Sequence, residues 1–564
     1  MRPVPTILIA LGGCGLVPEA TRVPPPALAG QDVHVTLLHI SDIHSRLFPY
    51  DFDPSFTDNN LGFTPDDPDT PCADDGDALC GLDDDRGPYG GIARIATLLR
   101  RERARADRVL VLDSGDMFQG AVVFNQYGGR AEMLAMTEAG VDASVVGNHE
   151  FDRGAHNLAE QYVAWGGFRL LAANYVFDDP SLPWSNDLAD LVEPSALFEQ
   201  DGFRIGVIGL GNLSSLVSIT DESNTMDVVP LDAGEVVARE AERLRTQGAD
   251  LVVVLSHLGL DGDIALARDV DAPDIILGGH HHLAIQPPLI VTHRGTGKRI
   301  PVVHSGAFAK FVGRVDLVVR DSSLLSIDYT LFPVLTVPED DPRFVGDDPA
   351  VSEVLEAFQE GLDREINLDQ VIGYAERPLR RYGTSGGDSM LGNFTADAMR
   401  ETQGVETEIA LTNTLGIRAD IDAGDITIDA VFNAMPFDNT ITTMFLSGRE
   451  VQELLDYVAW RSSERGCKAQ AQVSGIRFTM DCDAREALDV VVNGSPLDPD
   501  ATYELATNDY IAWGGSGFEV LERNTTKVDT GISIRDVVIS AIQAHRTLPQ
   551  PGSAEEEGRI EAVY

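Results

Sequence analysis

From about Val33 to Val334, short apolar runs alternate with segments whose apolar positions recur at helical spacing. The runs are "VTLLHI" (35 to 40), "RVLVL" (108 to 112), "ASVV" (143 to 146), "RIGVIGL" (204 to 210), "LVVVL" (251 to 255), "DIIL" (274 to 277) and "IPVV" (300 to 303). Runs this short and this uniformly apolar predict strands buried on both faces, and the helices between them predict an α/β region. An Asp-, Pro- and Gly-rich stretch, 51 to 88, interrupts the alternation. It has no DxDxDG calcium loop, so it predicts a solvated insertion.

A breaker-rich stretch, "PEDDPRFVGDDPA", closes this region, and "VSEVLEAFQEGLDREI" (351 to 366) then restores helical spacing. The expected organisation is a first α/β domain over 33–335, a linker helix within 348–367 and a second α/β domain over 368–548. The last residues, "PQPGSAEEEGRIEAVY", predict a mostly polar tail. No internal repeat or heptad pattern is visible.

Composition narrows the function more than the fold. The chain has 564 residues, 43% hydrophobic and 23% charged, a length suited to two or three domains. Its formal net charge is −48, and Lys298, Lys310, Lys468 and Lys527 are its only lysines. Such a surface repels nucleic-acid polymers and anionic lipid head groups. An anionic small substrate therefore needs a local basic or metal-rich site.

The start, "MRPVPTILIALGGCGLVPEA", resembles a bacterial lipoprotein signal in which Cys14 takes the lipid; a plain cleaved signal is the alternative. Residues 1–30 then form signal and spacer, and the protein is expected in the periplasm or cell envelope. With Cys14 set aside, the remaining cysteines fall into two sequence-local pairs, Cys72 with Cys80 and Cys467 with Cys482, which suit disulfides in an oxidising compartment. A shared zinc site fits less well, because the pairs lie in different halves and lack CxxC spacing. No other run reaches the ~20 apolar residues needed to span a bilayer.

Several apolar runs end in loops rich in metal-ligand residues. "LLHISDIH" ends in Asp42 and His44, "VLVLDSGDMFQG" offers Asp116, "SVVGNHEFD" offers Asn148 and His149, "VVVLSHLG" offers His257, and "DIILGGHHH" offers three histidines. Loops at the carboxyl ends of strands are where α/β sheets build sites. Imidazoles, an Asn carbonyl and few carboxylates, one able to bridge, match the needs of a two-metal phosphoryl-transfer site.

In this order, "DIH", "GD" before "MFQG", "GNHEFD", "SHLG" and "GGHHH" resemble the metallophosphoesterase signature, and "GNHEFD" resembles its 5'-nucleotidase branch. The resemblance implies a four-layer α/β/β/α sandwich joined by a helix to a smaller α/β substrate-binding domain. It implies one metal held by Asp42, His44, Asp116 and His282, and a second held by Asp116, Asn148, His257 and His280. It also implies a His149–Asp152 dyad beside the phosphate. His281 is expected to face away, since neighbours in an extended segment point to opposite sides. Zn²⁺, Mn²⁺ or Co²⁺ suits these donors better than Mg²⁺ or Ca²⁺.

The second region resembles the carboxy-terminal domain of the same branch through "MLGNFTADAM" (390 to 399), "NTLGIR" (413 to 418), "MPFDN" (435 to 439) and "ATNDYIAWGGSGF" (506 to 518). Carried across, Asn413 and Arg418 hold the substrate, Phe437 and Tyr510 sandwich a base, and Arg377 and Arg381 of "ERPLRR" bind phosphate. Ser516 stands where the family has an Asp expected to hold ribose hydroxyls, which puts nucleoside preference in question.

The function implied is an exported, metal-dependent hydrolysis of nucleoside 5'-phosphates. UDP-sugar hydrolysis, 2',3'-cyclic-nucleotide cleavage, a non-nucleotide phosphoesterase, a thiosulfohydrolase-like enzyme and an inactive binding protein are the alternatives. The expected partner is a small nucleotide rather than a nucleic-acid polymer, with membrane contact only through Cys14. Neither the preferred base nor the oligomeric state follows from the sequence.

Overall fold

The computed structural model describes residues 28–50, 61, 89–177, 187–212, 228–335, 344–549 and 558–563. Cys14, the pair Cys72 and Cys80, and all of the acidic insertion except Leu61 lie outside the described residues.

Besides a two-stranded pairing of Tyr175–Val176 with Val229–Pro230, the first region carries two large sheets. Strands β1 (Val33–Ile40), β2 (Val109–Asp113), β3 (Ala143–Val145), β4 (Arg169–Leu171), β5 (Val192–Glu193), β6 (Ser195–Gln200), β7 (Phe203–Leu210), β8 (Leu251–Ser256), β9 (Ile275–Gly278), β10 (Leu289–Thr292), β11 (Arg299–His304), β12 (Phe311–Arg320) and β13 (Ser323–Pro333) build them. One sheet runs β13-β12-β1-β2-β3-β4-β5 and the other β10-β11-β9-β8-β7-β6. The central pairs, β1 with β2, β2 with β3, β7 with β8 and β8 with β9, are parallel. Their carboxyl ends therefore lie side by side.

Strand periodicity makes the layers. Val35, Leu37, Leu110 and Leu112 face Ile205, Val207, Val253, Leu255, Ile275 and Leu277 in a core between the sheets. Their alternate neighbours Leu38, Ile40, Val109 and Val111 pack against helices α1 (Ile92–Arg103), α2 (Arg130–Ala139) and α3 (Gly154–Trp165). On the far side, Ile208, Val252, Val254 and Ile276 pack against α4 (Ala233–Thr246) and α5 (Leu260–Asp269). With both faces of each sheet covered, the strands read as continuous apolar runs, and the architecture is the α/β/β/α sandwich.

Helix α6 (Pro349–Glu365) starts where Asp348 accepts the Ala350 and Val351 amides at 3.0 and 3.2 Å. Val351, Leu355, Phe358 and Leu362, its apolar stripe, pack into the core that α1 and α2 cover, so the connector is an integral part of the first domain. Ile366, Leu368 and Phe432 touch both this core and one of the second domain.

The second domain centres on the sheet β16-β14-β17-β15-β18, formed by β14 (Ile409–Asn413), β15 (Thr440–Ser447), β16 (Ala471–Ser474), β17 (Thr502–Asn508) and β18 (Val528–Ser533). Ile409, Leu411, Met444, Leu446 and Leu505 pack against α9 (Gly448–Ser463) on one face. Ala410, Ile441 and Ala506 pack against α7 (Met390–Glu401), α8 (Ile428–Ala434) and α10 (Ile534–His545) on the other. Cys467 and Cys482 are disulfide-bonded.

The terminal segment corrects the sequence expectation of a polar tail. Ile560–Val563 is a strand that pairs in parallel with Ile476–Asp481, and Ile560 is buried in the second domain's core. Arg559 forms hydrogen bonds with both carboxylate oxygens of Asp397 at 2.7 Å. The second domain thus extends past Leu548 to at least Val563. The segment has too few apolar residues to announce a strand, and its partner lies about 80 residues upstream.

Candidate functional site

Backbone pairing continues past the strand ends and fixes the loops. Ile40 pairs with Asp113 in the sheet, then Asp42 N–H donates to Gly115 O at 2.9 Å and His44 N–H to Asp116 O at 3.0 Å. The sheets are joined by His280 N–H to the Asp42 carboxylate, 3.0 and 3.1 Å to its two oxygens. Asp42, His44, Asp116, His280 and His282 all have left-handed backbone, with φ of 50°, 50°, 56°, 73° and 58°. Such conformations cost energy and persist where surrounding structure imposes them, commonly at functional sites. Gly147 permits a close approach of the two loops, because a Cβ there would collide with the Asp116 carboxylate and amide.

Three groups of side chains have ligand atoms within 4.8 Å of one another: Asp42, His44 and His282; His44, Asp116 and His149; Asp116, His257 and His280. Asp116 Oδ2 is 2.9 Å from His257 Nε2 and 3.8 Å from His44 Nε2, so it stands between the outer groups. His44 Nε2 and His282 Nε2 are 3.0 Å apart, and His282 Nε2 is 3.6 Å from Asp42 Oδ1. Burial holds both rings well below the ordinary histidine range, so their lone pairs are available.

The donor set fits divalent cations by its orientation as well. His44 Nδ1–H donates to Gln119 O at 2.7 Å and His257 Nδ1–H to Ser114 O at 2.6 Å, which turns each Nε2 toward the cluster as an acceptor. Asn148 Oδ1 is buried without a hydrogen-bond partner, and His257 Nε2 meets the Asp116 carboxylate at 2.9 Å. An orphaned amide oxygen beside a group of carboxylates is what a cation would satisfy.

His149 Nδ1 lies 2.9 and 3.0 Å from the two Asp152 oxygens. Burial works against the charged ring, but the Asp152 and Asp116 carboxylates outweigh it and raise His149 above its ordinary value. His281 turns to the other side, where its Nδ1 accepts Leu260 N–H at 3.1 Å at the start of α5. The divergence arises from left-handed turns at His280 and His282 rather than from an extended segment.

The second domain reaches this cluster directly. The Phe437 ring stacks on His149 at 5.9 Å and 27°, and the Arg418 guanidinium lies 5.6 Å from the Phe437 ring. Arg418 is held below its ordinary value by burial and by Arg381, with Asp116 and Asp42 near enough to oppose the shift. Arg381 Nη1 donates to the Arg418 and Ile417 carbonyls at 2.8 and 3.3 Å, so it braces the segment that carries Arg418. Arg377 is half-buried upstream. Asn413 Oδ1 accepts from Asn508 Nδ2 at 2.7 Å, and Tyr510 Oη lies 3.3 Å from Ser516 Oγ. Contacts between the domains continue with Arg46 to Asn433 and Asn125 Nδ2 to Pro436 O at 3.1 Å.

Two positioning residues escaped the sequence reading. Glu150, buried, accepts the amides of Gly147, Met117 and Asp116 at 2.6, 2.8 and 3.1 Å and so clamps the Asp116 loop to the Asn148 loop. It lies inside "GNHEFD", yet nothing in its residue type marks a carboxylate that binds backbone. Asn508, which orients Asn413 and caps the helix Asp509–Ala512, reads in sequence only as an ordinary helix start.

The calcineurin-like phosphoesterase family matches residues 35–284, and the 5'-nucleotidase C-terminal domain matches residues 371–523. A solved 5'-nucleotidase precursor from Thermus thermophilus is 30% identical with a TM-score of 0.78, covering 94% of this chain and 99% of its own. The chain belongs to the 5'-nucleotidase family. Vibrio cholerae serotype O1 5'-nucleotidase is 28% identical over 96% of this chain and 94% of its own length. The trifunctional nucleotide phosphoesterase YfkN of Bacillus subtilis is 28% identical over 84% of this chain, which spans only 34% of that longer protein. As a 5'-nucleotidase family member the protein is a phosphoric-ester hydrolase, and its phosphoesterase half carries the His and Asp groups described above. No helix among the described residues is long and apolar enough to cross a membrane.

Proposed function

We propose that this enzyme is an exported nucleotidase that hydrolyses nucleoside 5'-monophosphates to nucleoside and phosphate. One observation carries the reading: Arg418 and Phe437 of the second domain lie over the His and Asp groups of the first, so a phosphate held there has a flat, apolar wall beside it. Residues 33–335 are assigned the chemistry, residues from 368 onward substrate selection, and the helix within 348–367 the connection.

Asp42, His44, Asp116 and His282 would hold one divalent cation, and Asp116, Asn148, His257 and His280 the other. The imidazole-rich, amide-containing donors favour Zn²⁺, Mn²⁺ or Co²⁺. When bound, the pair supplies Lewis acidity toward water and the phosphoryl oxygens. His149, kept protonated and oriented by Asp152, donates a hydrogen bond to the transferring phosphoryl group or a proton to the leaving oxygen. Arg418, braced by Arg381, offsets phosphate charge, with Arg377 as a further phosphate contact. Phe437 and Tyr510 stack the base, while Asn413 and Ser516 contact the nucleoside. Export is supported by the apolar start with Cys14 and by the Cys467–Cys482 bond, which an oxidising compartment maintains.

The test is phosphate release by chelator-stripped protein reloaded with Mn²⁺ or Zn²⁺, on AMP and on a simple phosphate ester. Activity restored by metal and faster on AMP is the expected result. Equal rates on the two substrates would show that the second domain does not select nucleosides and would end this reading.

A further inference from the structure

On the second domain's surface, Arg449 pairs with Asp500, Arg485 with Glu464 and Arg523 with Glu453. With 90 acidic and 42 basic residues in the chain, a cation that finds a carboxylate is unremarkable. Arg461, Arg465 and Lys468 have no such partner among the described residues. Arg461 uses one of its five donors on the Ser516 carbonyl, at 2.7 Å, alongside the Tyr457 hydroxyl at 2.7 Å. The Lys468 ammonium stands 5.7 Å from the Tyr382 ring, and the Arg381 guanidinium 4.8 Å from the same ring. Arg465 is exposed, within electrostatic reach of Arg461, Tyr457, Tyr382 and Tyr510, and of His281 in the first domain.

With Arg381 and Arg418, these cations form an arc from the Asp116 group to Ser516. Like charges held together repel, and their repulsion is relieved when an anion enters. In a chain this acidic, carboxylates are abundant enough to neutralise such cations, yet among the described residues none pairs with Arg461, Arg465 or Lys468, and Asp420 meets Arg381 at its amide.

The order of groups along the arc says where the anion belongs. Arg418 faces the Asp116 group, and Tyr510 supplies a flat ring. The Ser516 hydroxyl is 3.3 Å from Tyr510 Oη, Arg461 binds the Ser516 carbonyl, and Arg465 is within electrostatic reach of Tyr510. On the nucleotidase reading, a nucleotide laid from Arg418 to Tyr510 carries its sugar between the two, next to these groups. Ser516 presents a hydroxyl there in place of a charge, from a left-handed position with φ of 58°. A ribose with free hydroxyls leaves two guanidinium charges uncompensated, whereas a sugar phosphate matches their forked donors and their charge.

We propose that Arg461 and Arg465, with Lys468, bind a second phosphate carried on the ribose, so that the preferred substrates are nucleoside 3',5'-bisphosphates. The proposal rests on the nucleotidase reading. Water adds at the 5'-phosphorus, the bond from phosphorus to O5' breaks, and O5' takes a proton. Inorganic phosphate and a nucleoside 3'-phosphate leave, and the 3'-phosphate is never attacked.

The metal-loaded enzyme and the Arg461→Gln/Arg465→Gln variant are assayed on AMP, ADP, adenosine 3',5'-bisphosphate and adenosine 2',5'-bisphosphate. The expected result is a kcat/KM for the 3',5'-bisphosphate about tenfold or more above that for AMP, mainly through KM. That ratio should fall toward one in the variant and as ionic strength rises. Arg465 is exposed, so its replacement leaves the core intact, and single Arg465→Gln should reproduce part of the fall. AMP hydrolysed at least as well as the bisphosphates, an equal preference for ADP, a preference for the 2',5' isomer, or a preference that survives in the double variant would each overturn the assignment. Failure to hydrolyse any of the four would instead bring down the nucleotidase reading beneath it.

Discussion

In the first domain, the side chains of the candidate metal site are aimed by main chain. The Asp42 and Asp116 loops hydrogen-bond to one another, the His280 amide binds Asp42, and Glu150 gathers amides from two loops. In the second domain, the groups nearest the cluster are aimed by side-chain stacking and by a few hydrogen bonds, as with Phe437 on His149 or Tyr510 against Ser516. A constellation held by backbone tolerates little change, because moving one ligand moves a loop that others share. One held by side chains can be revised residue by residue, so variation among substrates is expected to accumulate there while the chemistry stays fixed.

The comparison breaks most severely at Asp116. Asp116→Ala should lower monophosphate hydrolysis by about 10³-fold or more, several kcal/mol of Lewis-acid stabilisation, and should lower metal content measured on the same preparation. Full activity in this variant would remove the site assignment altogether. Asp152→Asn should cost about 10²-fold in rate, within the range for a positioned acid or base. It should also move the alkaline fall of the pH profile to lower pH. The sign follows from the raised value of His149: the Asp152 carboxylate sustains the charged ring to higher pH, so its loss lets the ring deprotonate sooner. An unmoved alkaline limb would mean that His149 does not act as the acid.

Glu150→Gln tests whether backbone really does the aiming. Charge-assisted hydrogen bonds of about 1.5–3 kcal/mol each are weakened, so metal affinity by calorimetry should drop together with kcat. A fall in melting temperature with metal affinity intact would reduce Glu150 to a purely structural role. At the other pole, Tyr510→Ala should cost about 1–3 kcal/mol of stacking, expressed in KM for nucleotides and far less in the hydrolysis of a simple ester. If both substrates suffer equally, Tyr510 supports the fold and does not meet a base.

How much of this was legible follows from what each feature depends on. The apolar runs announced β1, β2, β3, β7, β8, β9 and β11 because strands covered on both faces carry that pattern wherever they occur. The His and Asp residues that converge were visible because each stands directly after such a run. The left-handed backbone at five of them was not, since φ is imposed by the loops meeting in space. The strand Ile560–Val563 was missed because its pairing is long-range, and the cationic arc because Arg461 and Arg465 lie on and just beyond α9, far in sequence from Arg381 and Arg418. Glu150 shows the remaining gap: a residue inside a quoted motif whose partners are amides belonging to other residues.

The left-handed backbone at Asp42, His44, Asp116, His280 and His282 carries a consequence for the evolution of the protein as an object. At each of these five positions the backbone costs about 1–2 kcal/mol that a glycine would not incur. A lineage selected for thermal endurance alone would drift toward glycine there and gain stability while its catalysis disappeared. Aspartate and histidine are among the few residue types that tolerate this geometry and can also coordinate cations. The tension between endurance and activity is therefore written into the backbone of the site itself, and searches for hardier variants should leave these loops alone and work elsewhere in the chain.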